Sequence, residues 1–362
     1  MEKLLLQSLA LPVTAMLIIF LRRHAPDLGL VDMPGGRKQH RSLVPLVGGL
    51  GMFGGLAVAA LAEGGLLTAN AALLAGLALL ILVGVVDDRK ELSPKIRFLI
   101  QAMAALIMVY WGGIRLDNLG NLFGFGNVIL GNWSVPMTVF AVLGVINAMN
   151  MIDGADGLAS GLALIALLMF SLILGTEGGL AGTLLLTLVA AVIGFMVFNL
   201  RTPWRSRASV FMGDAGSMML GFALAWYAVD LASVRHAMTP ITAVWILAVP
   251  LMDTVSLMIR RIFKGVSPFA PDCEHLHHIL QRAGFSHGQT VFIVHAIALL
   301  LAGIGVAGWQ LGVPEYVMFY AFLALFGLYT YGVLHAWKLM KRVRKLYDAM
   351  EHPVPNGVGK AP

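Results

Sequence analysis

The sequence predicts an all-α, polytopic integral membrane protein with about eleven transmembrane helices. Its 362 residues are 59% hydrophobic and only 12% charged, and the mean hydropathy is +0.84. An ordinary globular protein is about half apolar and a quarter charged, so this composition excludes that class. At ~20 residues per membrane span, the apolar content supplies about ten or eleven spans. The connections that remain are too short for a sizeable water-exposed domain.

Apolar runs bounded by charge, proline or glycine define the spans. The first run precedes Arg22 and Arg23 and carries no small-residue cleavage signal, so we expect a retained span. Without an internal repeat or a domain boundary, we expect one transmembrane domain over 1–336 and a basic cytoplasmic tail over 337–362. In chain order the predicted spans are 4–21, 46–62, 71–86, 96–112, 134–151, 158–174, 180–198, 216–232, 242–258, 290–308 and 315–336.

The positive charges predict the orientation of these spans. Eleven spans divide the connections into two alternating sets, and one set holds 22 of the 25 lysines and arginines. The other set holds Lys3, Arg115 and Arg235. By the positive-inside rule the first set is cytoplasmic, which places the N-terminus outside and the C-terminus inside. The basic tail then faces anionic headgroups.

Charge and cysteine content exclude two further classes. The net charge of +6 could suggest a nucleic-acid partner, but the cations lie between apolar runs and do not form one folded basic face. Cys273 is the single cysteine, so a disulfide framework and a multi-thiol metal site are both excluded.

Three clusters of aspartates lie at span ends on the predicted cytoplasmic side. Asp87 and Asp88 close the third span, Asp153 and Asp156 follow the fifth, and Asp214 precedes the eighth. Any single cluster could be a helix-end charge that faces water. Three clusters on one face instead predict convergence, because acidic residues are rare in chains this apolar and tend to mark functional sites.

Converging carboxylates repel one another unless a cation joins them. Mg²⁺ prefers oxygen ligands and is held by one or two carboxylates together with substrate phosphates. Glycines beside the aspartates at 153, 156 and 214 let the backbone approach a ligand. The clusters therefore predict a magnesium site for phosphoryl transfer.

The longest predicted cytoplasmic connection carries a basic and histidine-rich segment. It begins with Arg260 and Arg261 and ends with His275, His277 and His278. Zinc is a weaker interpretation of the histidines, because soft-metal sites usually recruit more cysteine or a suitably spaced glutamate. A solvated interfacial charge run is a second alternative. We interpret these side chains as donors to phosphate oxygens, with histidines able to carry positive charge beside an anion.

A second basic group lies in the first cytoplasmic connection, just before the Pro45–Gly49 motif. Arg41 is its last member and is predicted to contact an anionic substrate or to anchor the loop.

Two other classes of membrane protein compete with a phosphotransferase. A transporter or channel would place ionisable residues at mid-membrane depth. Two carboxylates keep that class open. Asp230 is near the outer end of its span, and Asp253 lies seven residues before Arg260 and hence about two helical turns into the membrane. Asp253 could bond a neighbouring helix, which we favour, or reach the active site from below. A transferase of CDP-activated lipids would need a tight array of Asp, Gly and Arg that this chain lacks.

Five motifs in one order carry a resemblance that covers nearly the whole chain. The chain resembles the polyprenyl-phosphate N-acetylhexosamine-1-phosphate transferase family. Leu276 interrupts the histidine run, which favours the branch that uses UDP-GlcNAc over the branch that uses UDP-MurNAc-pentapeptide. The motifs are Pro45–Gly49, Asp87–Asp88, Asn147–Gly157, Phe211–Ser217, and Ser267–Phe269 with His275–His278.

The resemblance implies a Mg²⁺-dependent reaction, with Mn²⁺ as the alternative metal. The phosphate of undecaprenyl phosphate attacks the β-phosphorus of UDP-GlcNAc, UMP leaves, and undecaprenyl-diphosphate-GlcNAc forms. UDP-GalNAc, a deoxy-amino sugar or MurNAc-pentapeptide are the alternative donors. The resemblance also implies a bacterial inner-membrane enzyme that opens to the cytoplasm and starts a surface glycan such as O-antigen, and it leaves a homodimer open.

Roles for individual residues follow from the resemblance. Asp214 and Asn150 match the residues that contact the metal. Asp87 and Asp88 match a pair beside the metal and the lipid phosphate, which acts as a base or as metal support. The remaining implied roles are the nucleotide for Asp153 and Asp156, the uracil pocket for Asn199 and Phe211, and the diphosphate for Arg261 and His275.

Overall fold

A computed structural model describes residues 2–32, 43–202, 204–268 and 275–335. Helices account for most of these ranges, and one short hairpin precedes the second long helix. Its strands β1 (Val31–Asp32) and β2 (Val44–Pro45) are antiparallel, with Val31 opposite Pro45. The helices are α1 (Glu2–His24), α2 (Gly48–Ala62), α3 (Leu66–Ala69), α4 (Ala71–Lys90), α5 (Pro94–Tyr110), α6 (Ser134–Ile152), α7 (Leu158–Leu174), α8 (Gly179–Asn199), α9 (Gly213–Val229), α10 (Pro240–Ile246), α11 (Ala248–Phe263), α12 (Leu276–Arg282), α13 (His287–Gln310) and α14 (Glu315–Leu334).

The all-α membrane class is confirmed. Each of the eleven predicted spans falls on helical residues. Within the described ranges, six helical segments are long and apolar enough to cross a membrane. They are α4, α8, α13, α14, α6 with the turn before it (Gly131–Ile152), and α9 with the turn after it (Gly213–Val234). A bent pair, α10 and α11, adds a seventh candidate if it is one span. Eleven crossings and the orientation of the termini stay predictions.

The ninth predicted span, 242–258, is wrong as a continuous helix. The axes of α10 and α11 differ by 80°, and Leu247 lies at the break. Pro250 explains the interruption, because it has no N–H to donate to the carbonyl of Ile246. The bend gives α11 its own direction through the bundle, towards α6 and α14.

Helix α9 forms the centre of the bundle. Every residue from Ala215 to Val229 is buried, and the helix packs against α2, α4 and α6. The contacts at its first turn join backbone to backbone, because a Cβ on Gly49 or Gly84 would overlap the main chain of Gly216 or Ala215. This packing fixes the start of α9 relative to the ends of two neighbouring helices.

Four predicted features lie outside the described residues. They are Arg41 with the basic group around it, Phe269 of the Ser267–Phe269 motif, Cys273, and the tail over 337–362.

Candidate active site

Asp88 binds the first backbone amides of α9. Its Oδ1 accepts a hydrogen bond from the amide of Asp214 at 2.8 Å, and Oδ2 is 3.4 Å from the amide nitrogen of Ala215. The first amides of a helix lack partners within the helix, and the helix dipole favours a negative charge there. Asp88 therefore caps a helix that neighbours its own, which joins the predicted aspartate clusters at 87–88 and 214.

Asp87 is buried and bound by a different set of donors. Its Oδ1 accepts a hydrogen bond from the amide of Leu92 at 2.6 Å, and Arg97 on α5 lies 3.3 Å from Oδ2. The two consecutive aspartates thus bind different partners: Asp88 binds the start of α9, and Asp87 binds Leu92 and Arg97. Arg97 was not identified from the sequence, and no motif there marks it.

The two predicted metal ligands are in direct contact. The side-chain amide of Asn150 donates to Asp214 Oδ1 at 2.6 Å and lies 2.9 Å from the hydroxyl of Ser217. Among the described residues the carbonyl oxygen of Asn150 accepts no hydrogen bond. Asp214 and Asn150 are therefore adjacent, and each carries an oxygen that could bind a metal.

The donor set fits Mg²⁺ better than a soft metal. In the described ranges no three His, Cys, Asp or Glu side chains form a group that could hold a metal ion. The oxygen donors of Asp214 and Asn150 are of the hard type that Mg²⁺ prefers, whereas zinc sites usually use nitrogen and sulfur ligands. Asp214 is also close enough to Asp87, Asp88 and Asp153 to repel their charges, so a cation would relieve that repulsion.

The 153–158 loop connects this carboxylate group to the 200–212 connection. Burial raises the pKa of Asp153 to about 7, and the carboxylates of Asp214 and Asp156 add to the rise. Asp156 Oδ2 accepts hydrogen bonds from Arg201 at 2.7 Å and from the amide of Ala208 at 3.0 Å. The structure thus brings Asp153 and Asp156 to the site, and the Asp156 carboxylate forms an ion pair with Arg201.

Asn199 uses its polar side-chain atoms within the protein. Oδ1 accepts from the amide of Gly157 at 2.8 Å and from the hydroxyl of Ser160 at 3.2 Å, while Nδ2 donates to the carbonyl of Val210 at 3.1 Å. Its side chain fixes the 153–158 loop against the 200–212 connection. The role in uracil binding that the resemblance implies stays a prediction.

The Pro45–Gly49 motif supports Phe211. The Phe211 amide donates to the Pro45 carbonyl at 2.9 Å, and the Phe211 carbonyl accepts from the Gly48 amide at 3.0 Å. Another bond joins the Gly49 amide to the carbonyl of Met212 at 3.0 Å. The first amides of α2 are therefore satisfied by the segment that leads into α9. A Cβ on Gly48 or Gly49 would collide with the Phe195 ring or with the backbone of Gly216, which explains the glycines of the motif.

The histidine segment packs on the 153–158 loop. His277 is 2% exposed, and its ring lies against Gly154, where a Cβ would be 2.8 Å from Nε2. The rings of His275, His277 and His278 form one group, with 4.1 Å between the last two ring centroids. The predicted histidine segment is thus in contact with the loop that carries Asp153 and Asp156.

The cations of the histidine segment lie at the C-terminal end of α11. Arg261 is 4% exposed and donates from Nη1 to the carbonyl of Pro268 at 2.6 Å, so it shapes the loop that follows. Arg260 is half-buried beside it. Whether either side chain binds a substrate stays a prediction.

His277 does not have the charge that the sequence interpretation allows. Burial, together with the neighbouring rings of His278 and His275, lowers its pKa to about 3. The ring is therefore neutral at pH 7 in the protein without substrates. Both ring nitrogens are buried without a hydrogen-bond partner among the described residues.

The burial of His277 predicts loss of stability in mild acid. The unfolded chain binds this proton near pH 6.5, but the folded chain binds it only near pH 3. Stability is then complete above pH 6.5 and falls by about 2 kcal/mol between pH 7 and pH 5. We expect a smaller acid-induced drop in apparent Tm for His277→Leu in detergent. His335→Leu, which removes an exposed histidine, should keep the wild-type dependence; equal slopes for all three proteins would contradict the assignment.

Two further histidines support the site and were missed from the sequence. His287 bonds the carbonyl of Asp156 and His295 bonds the carbonyl of Leu158, each at 3.1 Å. They lie eight residues apart on α13, so they are on one face of that helix. The spacing of the two histidines is visible in the sequence, but the sequence does not show which carbonyl groups they bind.

Comparisons with known proteins identify the class to which this membrane chain belongs. The family model for glycosyl transferase family 4 matches residues 70–232. The undecaprenyl-phosphate alpha-N-acetylglucosaminyl 1-phosphate transferase of Escherichia coli strain K12 is 39% identical over 336 residues, 92% of this chain and 91% of that protein. The proteins of the same name from Yersinia pestis and Haemophilus influenzae are 39% and 37% identical, over 92% and 91% of this chain and 92% and 93% of their own lengths. The chain therefore belongs to the polyprenyl-phosphate N-acetylhexosamine-1-phosphate transferase family, as its motifs indicate.

Proposed function

We propose that this chain transfers GlcNAc-1-phosphate from UDP-GlcNAc to undecaprenyl phosphate and releases UMP. The similarity to relatives of that name supports the reaction. The structural observation that carries the proposal is the meeting of Asp88, Asn150 and Asp214 at the first turn of α9. Carboxylate and amide oxygens gathered beside helix amides suit a cation and the phosphates that it would neutralise.

In this proposal Asp214 and Asn150 hold Mg²⁺, or Mn²⁺ as the alternative. The metal supplies charge neutralisation and geometry for the transferring group. An oxygen of the lipid phosphate forms a bond to the β-phosphorus of UDP-GlcNAc, and the bond from that phosphorus to the oxygen bridging the α- and β-phosphates breaks. The electron pair leaves on UMP, so no further reactant is needed.

Asp87 and Asp88 act first as electrostatic organisers. A phosphate monoester has a second pKa near 6, so the lipid phosphate is already largely dianionic at pH 7. A general base is therefore not obligatory. The contacts of both residues support this assignment, because Asp88 binds the amides of α9 and Asp87 binds Arg97 and the amide of Leu92.

We place the reaction at the cytoplasmic face of a bacterial inner membrane. The charge asymmetry of the connections supports eleven crossings with the N-terminus outside and the C-terminus inside. The product, undecaprenyl-diphosphate-GlcNAc, would be the first lipid-linked intermediate of a surface glycan such as the O-antigen of lipopolysaccharide.

UMP release by the detergent-purified chain tests the proposal. The protein is given Mg²⁺, undecaprenyl phosphate and, in parallel, UDP-GlcNAc, UDP-GalNAc or UDP-MurNAc-pentapeptide. We expect release with UDP-GlcNAc that disappears without the lipid or with EDTA. Release with another sugar nucleotide alone would move the chain to a different branch. Absence of release with all three would overturn the proposed reaction.

A further inference from the structure

Asp253 accepts three hydrogen bonds inside the protein, although the sequence places it two turns into a membrane helix. Its side chain is 1% exposed. Oδ2 lies 2.7 Å from Nδ1 of His275, and Oδ1 accepts from the amide of Leu276 at 3.0 Å and from the hydroxyl of Tyr329 at 2.6 Å. The expected bond to a neighbouring helix exists, but Asp253 also holds the start of the histidine segment.

This arrangement selects one form of the His275 ring. An ionised carboxylate has no proton to donate, so Nδ1 of His275 must carry the proton in their 2.7 Å contact. Nε2 then has the free lone pair of a neutral ring, or a second N–H if the ring is protonated. A carboxylate behind a histidine fixes the ring's tautomer and direction in this way in many enzyme and metal sites.

The fixed ring belongs to the candidate active site. His275 stacks on His277 with a centroid distance of 5.6 Å and an interplanar angle of 19°. His277 in turn lies against Gly154 in the loop between Asp153 and Asp156. A continuous set of contacts thus runs from Tyr329 on α14, through Asp253 on α11, to the loop that the resemblance assigns to the nucleotide.

We propose that Asp253 and Tyr329 are positioning residues that direct Nε2 of His275 at the diphosphate of the sugar nucleotide, to which the Nε2–H of the protonated ring donates. This rests on the proposed function for the identity of the ligand. The nearby hydrogen bond between Ser256 on α11 and Thr330 on α14, at 2.8 Å, joins the same two helices without touching a histidine. It provides a matched comparison, because Ser256 is as buried as Asp253.

The test compares Asp253→Asn, Tyr329→Phe and the control Ser256→Ala. UMP release gives kcat and KM for each substrate, UDP binding gives affinity without turnover, and a melting curve gives apparent Tm. Removal of the hydrogen-bond partner that orients a functional histidine typically lowers activity by ~10- to 100-fold. We expect a loss of that size in kcat/KM for UDP-GlcNAc with Asp253→Asn. Loss of a single hydrogen bond lowers an equilibrium or rate constant by about fivefold, and we expect a decrease of that size in kcat/KM for Tyr329→Phe. UDP affinity should fall in both variants, the KM for undecaprenyl phosphate should stay unchanged, and Ser256→Ala should be within about twofold of wild type.

Three results would overturn the proposal. They are losses no larger than in Ser256→Ala, equal losses for both substrates, and losses that follow apparent Tm. If Asp253→Asn does not fold, Tyr329→Phe decides by the same criteria. An inactive wild type would instead count against the proposed reaction, and UDP affinity would still report on the positioning of His275.

Discussion

Asp214→Asn is expected to abolish UMP release while the protein still inserts and folds. The substitution removes the charge at the point where Asn150 contacts Asp214 at 2.6 Å, and a neutral amide is a poorer Mg²⁺ ligand than a carboxylate. We expect a loss of about 10³-fold, which is ~4 kcal/mol of transition-state stabilisation. The measurement is UMP release over a Mg²⁺ titration, with apparent Tm recorded on the same preparations. Asp27→Asn, which neutralises an exposed aspartate, is the control and should titrate like wild type. Wild-type activity in Asp214→Asn would refute the metal assignment.

Gly213→Ala is expected to reduce activity at least about 100-fold by displacing Asp88 from the start of α9. Gly213 has a φ of +72°, and a Cβ there would lie 2.5 Å from Asp88 Oδ2. Alanine is therefore both strained and in collision with a carboxylate that receives the Asp214 amide at 2.8 Å. Steady-state UMP release measures the effect.

The variant Gly312→Ala separates the effect of backbone strain from the effect of the collision with Asp88. Gly312 has a nearly equal φ of +68°, but its missing Cβ would meet nothing within 4 Å. This control carries the backbone strain without the collision, and we expect it to lower apparent Tm slightly and to leave turnover near wild type. Similar activity losses in the two variants would show that strain, and not the Asp88 contact, governs the effect.

The sequence predicted the helices and the meeting of the aspartates for clear physical reasons. Apolar runs of membrane length have few alternatives to the helix, because backbone groups cannot stay unsatisfied in lipid. The carboxylates at 87–88, 153–156 and 214 share one predicted face through the alternation of spans, and the contacts around Asp88 and Asp156 now join those segments. The family and its motifs were also evident from the sequence.

What the sequence could not predict depends on contacts between distant segments. Asp253 and His275 are 22 residues apart in the sequence, and their contact depends on how the connection after α11 folds back onto that helix, which follows a break at Leu247. Hydropathy averages over that break, so it predicted one continuous span. The neutral state of His277 was equally hidden, because a pKa near 3 follows from burial that no pattern of residue types reveals.

The backbone contacts at the start of α9 have a consequence for engineering the enzyme. Around Gly49, Gly84 and Gly216 the main chains of three helices touch directly, so no side chain there can repack to absorb a change. The histidine segment differs, because side-chain hydrogen bonds such as those of Asp253 and Arg261 hold it in place. Engineering should therefore leave the glycine crossings untouched, because any side chain larger than hydrogen there would collide with a neighbouring main chain. The histidine segment can tolerate gradual change, because side-chain contacts can be altered one at a time.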